Sequence, residues 1–168
     1  VFEVDAALYG LLTGALGGGA VVGAVGLGAL GGGVPRSRLV GTAIIAYSIS
    51  LVAFGASPTF AIGVACIAIT GAFFLVVVAN LNTSVQLLVP EALRGRVLAV
   101  YIMGFTAAYP VGSLVQATLA EHFGARPVTI GAGLLLLCVG IALNLRRRLL
   151  LSLDEHTHRG EDVEPVAA

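Results

Sequence analysis

The sequence predicts an all-α membrane protein, a bundle of five transmembrane helices, and three observations support this. Between Ala6 and Leu145 the 168-residue chain carries only seven formal charges, which fall in three short clusters. A soluble domain needs charge over its whole surface, whereas lipid disfavours charge. Charged residues make up 11% of the chain and its mean hydropathy is +1.01. Finally, the runs between the clusters reach the ~18–20 residues that a helix needs to cross the hydrocarbon core.

Each apolar run is continuous rather than alternating, which favours helices over the shorter strands of a membrane barrel. We expect five spanning helices, at about 7–30, 39–56, 60–88, 97–120 and 128–145. Residues 1–6 form an external N-terminal stub on this interpretation. Residues 146–168 form a cytoplasmic and disordered tail, since the part from Asp154 onwards is acidic and has little to bury.

Prolines and glycines separate the predicted spans. Pro35, Pro58 and Pro90 end the first three, and Gly124 with Pro127 brackets the turn after the fourth. Because proline and an acidic residue favour the start of a helix, we expect a short interfacial helix to begin at Glu91, before the fourth span.

The arginines indicate the orientation of the chain in the membrane. Two, none, two and one arginines follow the first four spans in turn, and three, Arg146 to Arg148, directly follow the fifth. Cytoplasmic loops are enriched in basic residues. The pattern therefore predicts an external N-terminus and a cytoplasmic C-terminus, in a cell membrane.

Several classes of function lack support in the sequence. The net charge is zero, which gives no reason to expect nucleic acid as a partner. Cys66 and Cys138 lie in apolar runs and are interpreted as packed residues, not a disulfide or metal pair. No Asp, Glu or His lies within a predicted span, so we expect no enzyme, no metal site and no cofactor.

Small residues dominate the first and fourth spans. In lipid, such residues allow another helix to approach closely, and an internal proline can kink a helix. For the fourth span, simple packing with an incidental kink is as good an interpretation as a hinge. The expected packing and hinge positions are Gly10, Gly14, Gly18, Gly19, Gly23, Gly104, Pro110 and Gly112. The fifth span is plainer, and Leu134 to Leu137 favour a position facing lipid.

The third span is long and becomes polar towards its end. About 29 residues rise ~44 Å, more than the ~30 Å hydrocarbon core. Asn82 and Gln86 are expected at headgroup depth. Polar groups at membrane depth should face protein or a watery cavity, which makes Thr70 and Asn80 candidates for a solute path. Phe73, Phe74 and Tyr109 would suit apolar compounds on that path, although lipid-facing and core positions contain the same residues.

The stretch from Asn82 to Val97, and above all its Val-Pro-Glu-x-x-Arg-Gly-Arg core, resembles a known family. It is similar to the segment between helices ten and eleven of major facilitator superfamily transporters, in the bacterial branch of drug, siderophore and macrolide exporters. The motif residues in this cytoplasmic loop are Pro90, Glu91, Arg94, Gly95 and Arg96. The resemblance covers nearly all of residues 7–145.

This resemblance implies that the five spans are equivalent to helices eight to twelve of a twelve-helix transporter. Helices eight and eleven would then lie between the halves, helix ten would line the central cavity, and helices nine and twelve would be peripheral. The loop after the first span departs from the family, because Gly33 to Arg38 contains no Asp. We also expect the chain to begin partway through a larger protein, since it starts at Val1 and would lack seven helices.

Two functions remain after this comparison. The first is the C-terminal part of an exporter that moves a small molecule by alternating access and is not competent alone. Its partners would be the lipid bilayer, the missing N-terminal helices and the substrate. The alternative is a non-transporting membrane module, either a degenerate remnant or an assembly partner in a split transporter.

Overall fold

The computed structural model describes residues 5–30 and 35–146, and it contains five α-helices. They are α1 (Ala6–Leu30), α2 (Arg36–Ala56), α3 (Phe60–Leu88), α4 (Glu91–Phe123) and α5 (Ala125–Leu145). All five are long and apolar enough to cross a membrane. Within the described ranges no residue forms a strand. The prediction of an all-α, five-helix bundle is confirmed. The predicted stub and tail lie almost entirely outside the described residues.

The structure lengthens the fourth helix and removes the separate interfacial helix. Pro90 caps α4, and the helix continues from Glu91 to Phe123 without interruption. The short helix expected at Glu91 was therefore wrong, because backbone hydrogen bonding continues through Arg94 and Arg96 into the apolar span. Pro110 also lies within α4 and does not end it.

A single residue separates α4 from α5. Gly124 has φ of 87°, and its amide donates to the carbonyl of Ala120 at 2.9 Å. Since a positive φ is costly for residues with a Cβ, glycine suits this position. Pro127, expected within the turn, instead lies in the first turn of α5. Proline is tolerated there because the first helical amides have no partner within the helix.

The helices pack in the order α1, α3, α2, α5, α4. The three main contacts are α1 with α3, α3 with α2, and α2 with α5. The contact between α4 and α5 is smaller, and that between α3 and α4 is slight. No residue of α4 is buried. The described helices thus form a row in which α4 is the least supported member.

The inner surfaces of this row are built from small and hydroxyl-bearing residues. Val40 and Ala43 are the buried hydrophobic residues of the described chain, whereas many leucines, valines and isoleucines are exposed. Buried positions are otherwise occupied largely by glycine, serine and threonine. This is the arrangement expected when lipid is the solvent, since large apolar side chains gain nothing by leaving it.

Close approach of backbones joins α1 to α3. A Cβ atom at Gly19 would lie 2.6 Å from the carbonyl carbon of Ala68, and one at Gly23 would lie 2.8 Å from Cα of Ala72. From the other side, a Cβ at Gly71 would lie 2.9 Å from the carbonyl carbon of Leu16. These distances are too short for any side chain, so this contact requires glycine at all three positions.

Glycine also allows α5 to approach α2 closely, although here the nearest atoms belong to side chains. A Cβ at Gly133 would lie 2.7 Å from Cγ2 of Val52, and one at Gly140 would lie 2.9 Å from Cγ2 of Ile44. The lipid-facing prediction for the fifth span therefore describes only part of its surface. Leu134 and Leu135 are exposed, but another face of α5 packs closely on α2.

The two neighbouring glycines of α1 provide a matched test of this packing. Gly18→Ala would place its Cβ in open space, whereas Gly19→Ala would push it into the backbone of Ala68. We expect Gly19→Ala to lower the stability of the bundle by about 1–3 kcal/mol, the usual cost of overpacking. Gly18→Ala should leave stability unchanged or raise it, because alanine favours helix. Thermal unfolding in nanodiscs, followed by far-UV circular dichroism, measures both, and equal midpoints would contradict the packing described.

Candidate functional site

The buried polar groups of α3 form two clusters, one in mid-helix and one near its end. Thr70 is 3% exposed, and its Oγ1 lies 3.0 Å from Oγ of Ser50 on α2. The same hydroxyl bonds the carbonyl of Cys66 at 2.8 Å. The Ser50 hydroxyl in turn donates to the carbonyl of Tyr47 at 2.9 Å. The single hydroxyl proton of Thr70 is therefore shared between its own helix and Ser50 of α2, rather than directed towards an open path.

Asn80 and Ser84 make up the second cluster. Asn80 is 6% exposed and donates from Nδ2 to the carbonyl of Val76 at 2.8 Å. Ser84 is 8% exposed and donates to the carbonyl of Asn80, also at 2.8 Å. These local bonds satisfy donors that would be costly in lipid. The two residues face the protein interior, as expected for polar groups at depth.

Asn82 and Gln86 behave differently from Asn80. Nε2 of Gln86 donates to Oδ1 of Asn82 at 3.1 Å, one helical turn away. The bond joins the half-buried Asn82 to the exposed Gln86, so it lies nearer the outer surface of α3 than Asn80 does.

The aromatic candidates do not converge on one site. Phe74 is 43% exposed, and its ring centroid lies 6.2 Å from that of Tyr47 on α2. Tyr109 is 76% exposed on α4, which scarcely touches α3. Phe73 lies on another side of α3, in the wall of a cavity. Among the described helices, the five predicted path residues are therefore distributed over two helices rather than gathered round one space.

The cavity beside Phe73 lies between α1, α2 and α3, and its volume is about 230 Å³. Its walls are almost wholly apolar, and Thr42 supplies their one hydroxyl-bearing side chain. That hydroxyl bonds the carbonyls of Arg38, at 2.8 Å, and Leu39, at 3.2 Å. The lining residues are Gly23, Gly26, Leu27, Leu39, Thr42, Ala43, Ala72, Phe73 and Val76. Sequence reasoning identified Phe73 and Gly23 here but not the space between them, which exists only once three helices have assembled.

The predicted packing and hinge positions divide into two groups. Gly19 and Gly23 form the close contact with α3 described above. A Cβ at any of the others would meet nothing within 4 Å among the described atoms; these positions are Gly10, Gly14, Gly18, Gly104 and Gly112. Pro110 is likewise exposed. The second group thus lies on outward surfaces of α1 and α4.

The loop motif forms the N-terminal end of α4. The amide of Leu93 donates to the carbonyl of Pro90 at 3.0 Å, and Glu91 lies in the first turn, where the helix dipole favours an acidic group. Arg94 is half-buried, and its buried Nε has no hydrogen-bond partner among the described atoms. Gly95 and Arg96 are exposed. Within residues 5–30 and 35–146, no three His, Cys, Asp or Glu side chains are grouped to hold a metal ion.

Comparison with known proteins identifies the family. The sequence model of the transmembrane secretion effector family, a branch of the major facilitator superfamily, matches residues 1–162. The chain belongs to this family. It is therefore a multi-pass membrane protein of a transporter family, and the five spanning helices agree with that membership. The family resemblance inferred from the loop motif is confirmed.

The similar proteins are mycobacterial. The chain is 27% identical over 140 residues to the multidrug efflux pump Tap of Mycobacterium tuberculosis, and equally to that of Mycobacterium bovis. The match covers 83% of this chain but only 33% of each relative. The chain therefore spans about a third of the length of the relatives it matches. No solved structure matches it.

The bond between Thr70 and Ser50 can be tested by a double-mutant cycle. We expect Thr70→Val and Ser50→Ala to show a coupling energy of about 0.6 kcal/mol, the average for such bonds within membranes. Thr118 supplies the control, since its hydroxyl bonds only the carbonyl of Leu114 on its own helix. A cycle between Thr118→Val and Ser50→Ala should give no coupling. If the two cycles give the same coupling energy within error, the Thr70–Ser50 bond makes no net contribution to the stability of the bundle.

Proposed function

We propose that this chain is the C-terminal part of a secondary-active exporter that moves small molecules by alternating access. The observation that carries the proposal is membership of the transmembrane secretion effector family over residues 1–162. Such transporters bind their substrate between two repeats of helices, which rock about the site. On this proposal the chain supplies five helices of the second half and is not competent alone.

The share of the relatives that this chain covers supports that division. Its match with the mycobacterial efflux pumps extends over 33% of their length. Five helices out of twelve would occupy a comparable share. Seven further helices, with the opposite wall of the transport path, would belong to the remaining part.

The exposure of α4 also supports a missing partner. Its 33 residues include none that is buried, although Gly104, Ala108 and Gly112 would allow another helix to approach closely. The outward glycines of α1 offer a similar surface. We propose that helices of the N-terminal part pack on both surfaces, and that Pro110 and these small residues let α1 and α4 move against them.

The substrate is proposed to be a small, largely apolar molecule. The related proteins carry the name multidrug efflux pump. Phe73, Phe74 and Tyr109 would provide aromatic contacts in the complete transporter. Of the polar candidates, Asn80 is a better one than Thr70, because the Thr70 hydroxyl already bridges α3 and α2.

Asn80→Ala tests the proposed path. In the protein encoded by the reading frame extended upstream of Val1, we expect this change to reduce efflux of its substrates about tenfold, the effect of losing one buried hydrogen bond at a site. Asn82→Ala is the control, because Asn82 is less buried than Asn80 and its side chain bonds the exposed Gln86. Efflux from an efflux-deficient host, measured for a panel of fluorescent dyes, gives the readout. If Asn80→Ala matches the wild type for every dye transported, Asn80 is not on the path.

The same host tests whether the chain acts alone. We expect residues 1–168 expressed alone to give no efflux, and the upstream-extended protein to restore it. Efflux from the 168-residue chain alone would contradict the division proposed here. If the chain instead captures a separate membrane polypeptide and efflux requires both genes, the transporter is split. Absence of efflux from the upstream-extended protein would favour a non-transporting module.

Cysteine labelling tests the proposed orientation, with the N-terminus outside and the C-terminus in the cytoplasm. Cys66 and Cys138 would first be replaced by serine. Thr59 and Arg96 are both exposed. Thr59 directly precedes α3, whereas Arg96 lies near the start of α4, beyond the other end of α3. We expect a membrane-impermeant maleimide to label Thr59→Cys in intact cells, and Arg96→Cys only after permeabilisation. The reverse pattern would overturn the orientation without affecting the family assignment.

A further inference from the structure

The cavity between α1, α2 and α3 lies next to the basic end of α2. Leu39, Thr42 and Ala43 contribute its α2 wall, and they follow directly after Arg38. Arg38 and Thr42 are four residues apart, so they share one face of the helix. Arg38 is exposed, and no acidic residue of the described chain is paired with it. By length and composition, the candidate membrane span of α2 begins at Ser37, so Arg38 lies at the end of that span. Long basic side chains near the end of a membrane helix reach the headgroups.

The cavity is suited to a slender hydrocarbon. Its volume of about 230 Å³ exceeds the ~150 Å³ of an engineered cavity that binds benzene, and it lies below the ~300–1,000 Å³ of pockets for drug-sized ligands. The Thr42 hydroxyl is already bonded to backbone carbonyls, so the wall offers no free donor. Leu27 and Phe73 supply the larger apolar surfaces.

The cavity is also the gap between two helices that share a neighbour. Both α1 and α2 pack on α3, but they scarcely contact each other. Apolar atoms that occupy this gap would gain dispersion contacts with all three helices. Filling it would connect the C-terminal part of α1 with the N-terminal part of α2.

We propose that this cavity holds one acyl chain of an anionic phospholipid whose phosphate pairs with Arg38. Ala43 lies five residues beyond Arg38, which is roughly 8 Å along the helix. An acyl chain that enters at the level of Arg38 therefore contacts the apolar walls of the cavity within that distance. On the orientation proposed above, Arg38 lies on the cytoplasmic side, where basic residues between membrane helices attract anionic headgroups. The bilayer that surrounds the helices supplies such lipids.

Charge and volume favour a phospholipid acyl chain over other molecules that could occupy the cavity. An acyl chain fits the slender space, and the guanidinium group of Arg38 complements a phosphate at its mouth. A drug-sized cation would be too large for the cavity and would be repelled by Arg38. This site does not depend on transport, so its test does not rest on the proposed function.

Native mass spectrometry of the 168-residue chain in detergent micelles tests the site. The probes are palmitoyl-oleoyl phosphatidylglycerol and palmitoyl-oleoyl phosphatidylcholine, which share their acyl chains and differ in charge. We expect the wild type to retain one tightly bound phosphatidylglycerol, with about fivefold preference over phosphatidylcholine, as one basic group near a headgroup provides. Arg38→Gln should abolish the preference and Arg38→Lys should keep part of it. Arg146→Gln, which removes an exposed arginine elsewhere, should leave it unchanged.

Filling the cavity tests the acyl-chain half of the site. Gly26 lines the cavity, whereas Gly28 does not, and a Cβ at either position meets nothing within 4 Å. Gly26→Leu should reduce retention of both lipids severalfold, and Gly28→Leu should not. Thr42→Leu fills the space from α2 and should have the same effect as Gly26→Leu. Circular dichroism establishes that each variant keeps its helical content.

Three results would overturn the proposal. One is wild-type lipid retention by both cavity-filling variants. Another is an equal loss in Gly26→Leu and Gly28→Leu, which would indicate a general effect of leucine on α1. The third is that tetraphenylphosphonium displaces the bound lipid from the wild type but not from Thr42→Leu. That result would assign the cavity to an organic cation instead.

Discussion

The close approach of α1 and α3 at Gly19, Gly23 and Gly71 is the contact on which the remaining arrangement depends. Because no Cβ fits between these backbones, the two helices meet over flat surfaces and lie at short distance. This leaves α2 free to pack on another side of α3, where Thr70 and Ser50 bond, and to receive α5 on its own far side. In lipid such contacts must come from packing and hydrogen bonds, since burial of large apolar side chains provides no driving force.

The dependence on close packing of small residues also explains why some helices of the row are packed more tightly than others. Glycines place α5 against α2 at Gly133 and Gly140, whereas the glycines of α4 meet no described atom. Four helices therefore form a packed unit, and α4 is attached to it mainly through the one-residue turn at Gly124. On the function proposed above, helices of the N-terminal part would pack on the exposed surface of α4 and complete its support. The cavity lies between α1 and α2, which both pack on α3 but are not neighbours in the row.

Most of the fold could be predicted, because charge and hydropathy act along the chain. The number and approximate bounds of the helices followed from where arginine, glutamate and proline interrupt apolar runs. The interfacial helix at Glu91 was wrong, since apolarity defines only the membrane-spanning part of a helix and not its hydrogen bonding. The candidate site was less predictable. Thr70 and Asn80 are both buried, but whether a buried hydroxyl bridges helices or faces a path depends on what the neighbouring helix places opposite it.

The sequence by itself determined the solvent of this protein, its five spans and, through the motif from Pro90 to Arg96, its family. These properties depend on the transfer free energy of successive residues and on short local motifs. Both follow from the order of residues along the chain. Only the tertiary structure decided which glycines are contacts, because Gly18 and Gly19 are chemically identical and differ solely in the direction they face. It also decided where space remains: the cavity beside Phe73 belongs to no helix, and arises because α1 and α2 both pack on α3 without filling the gap between them.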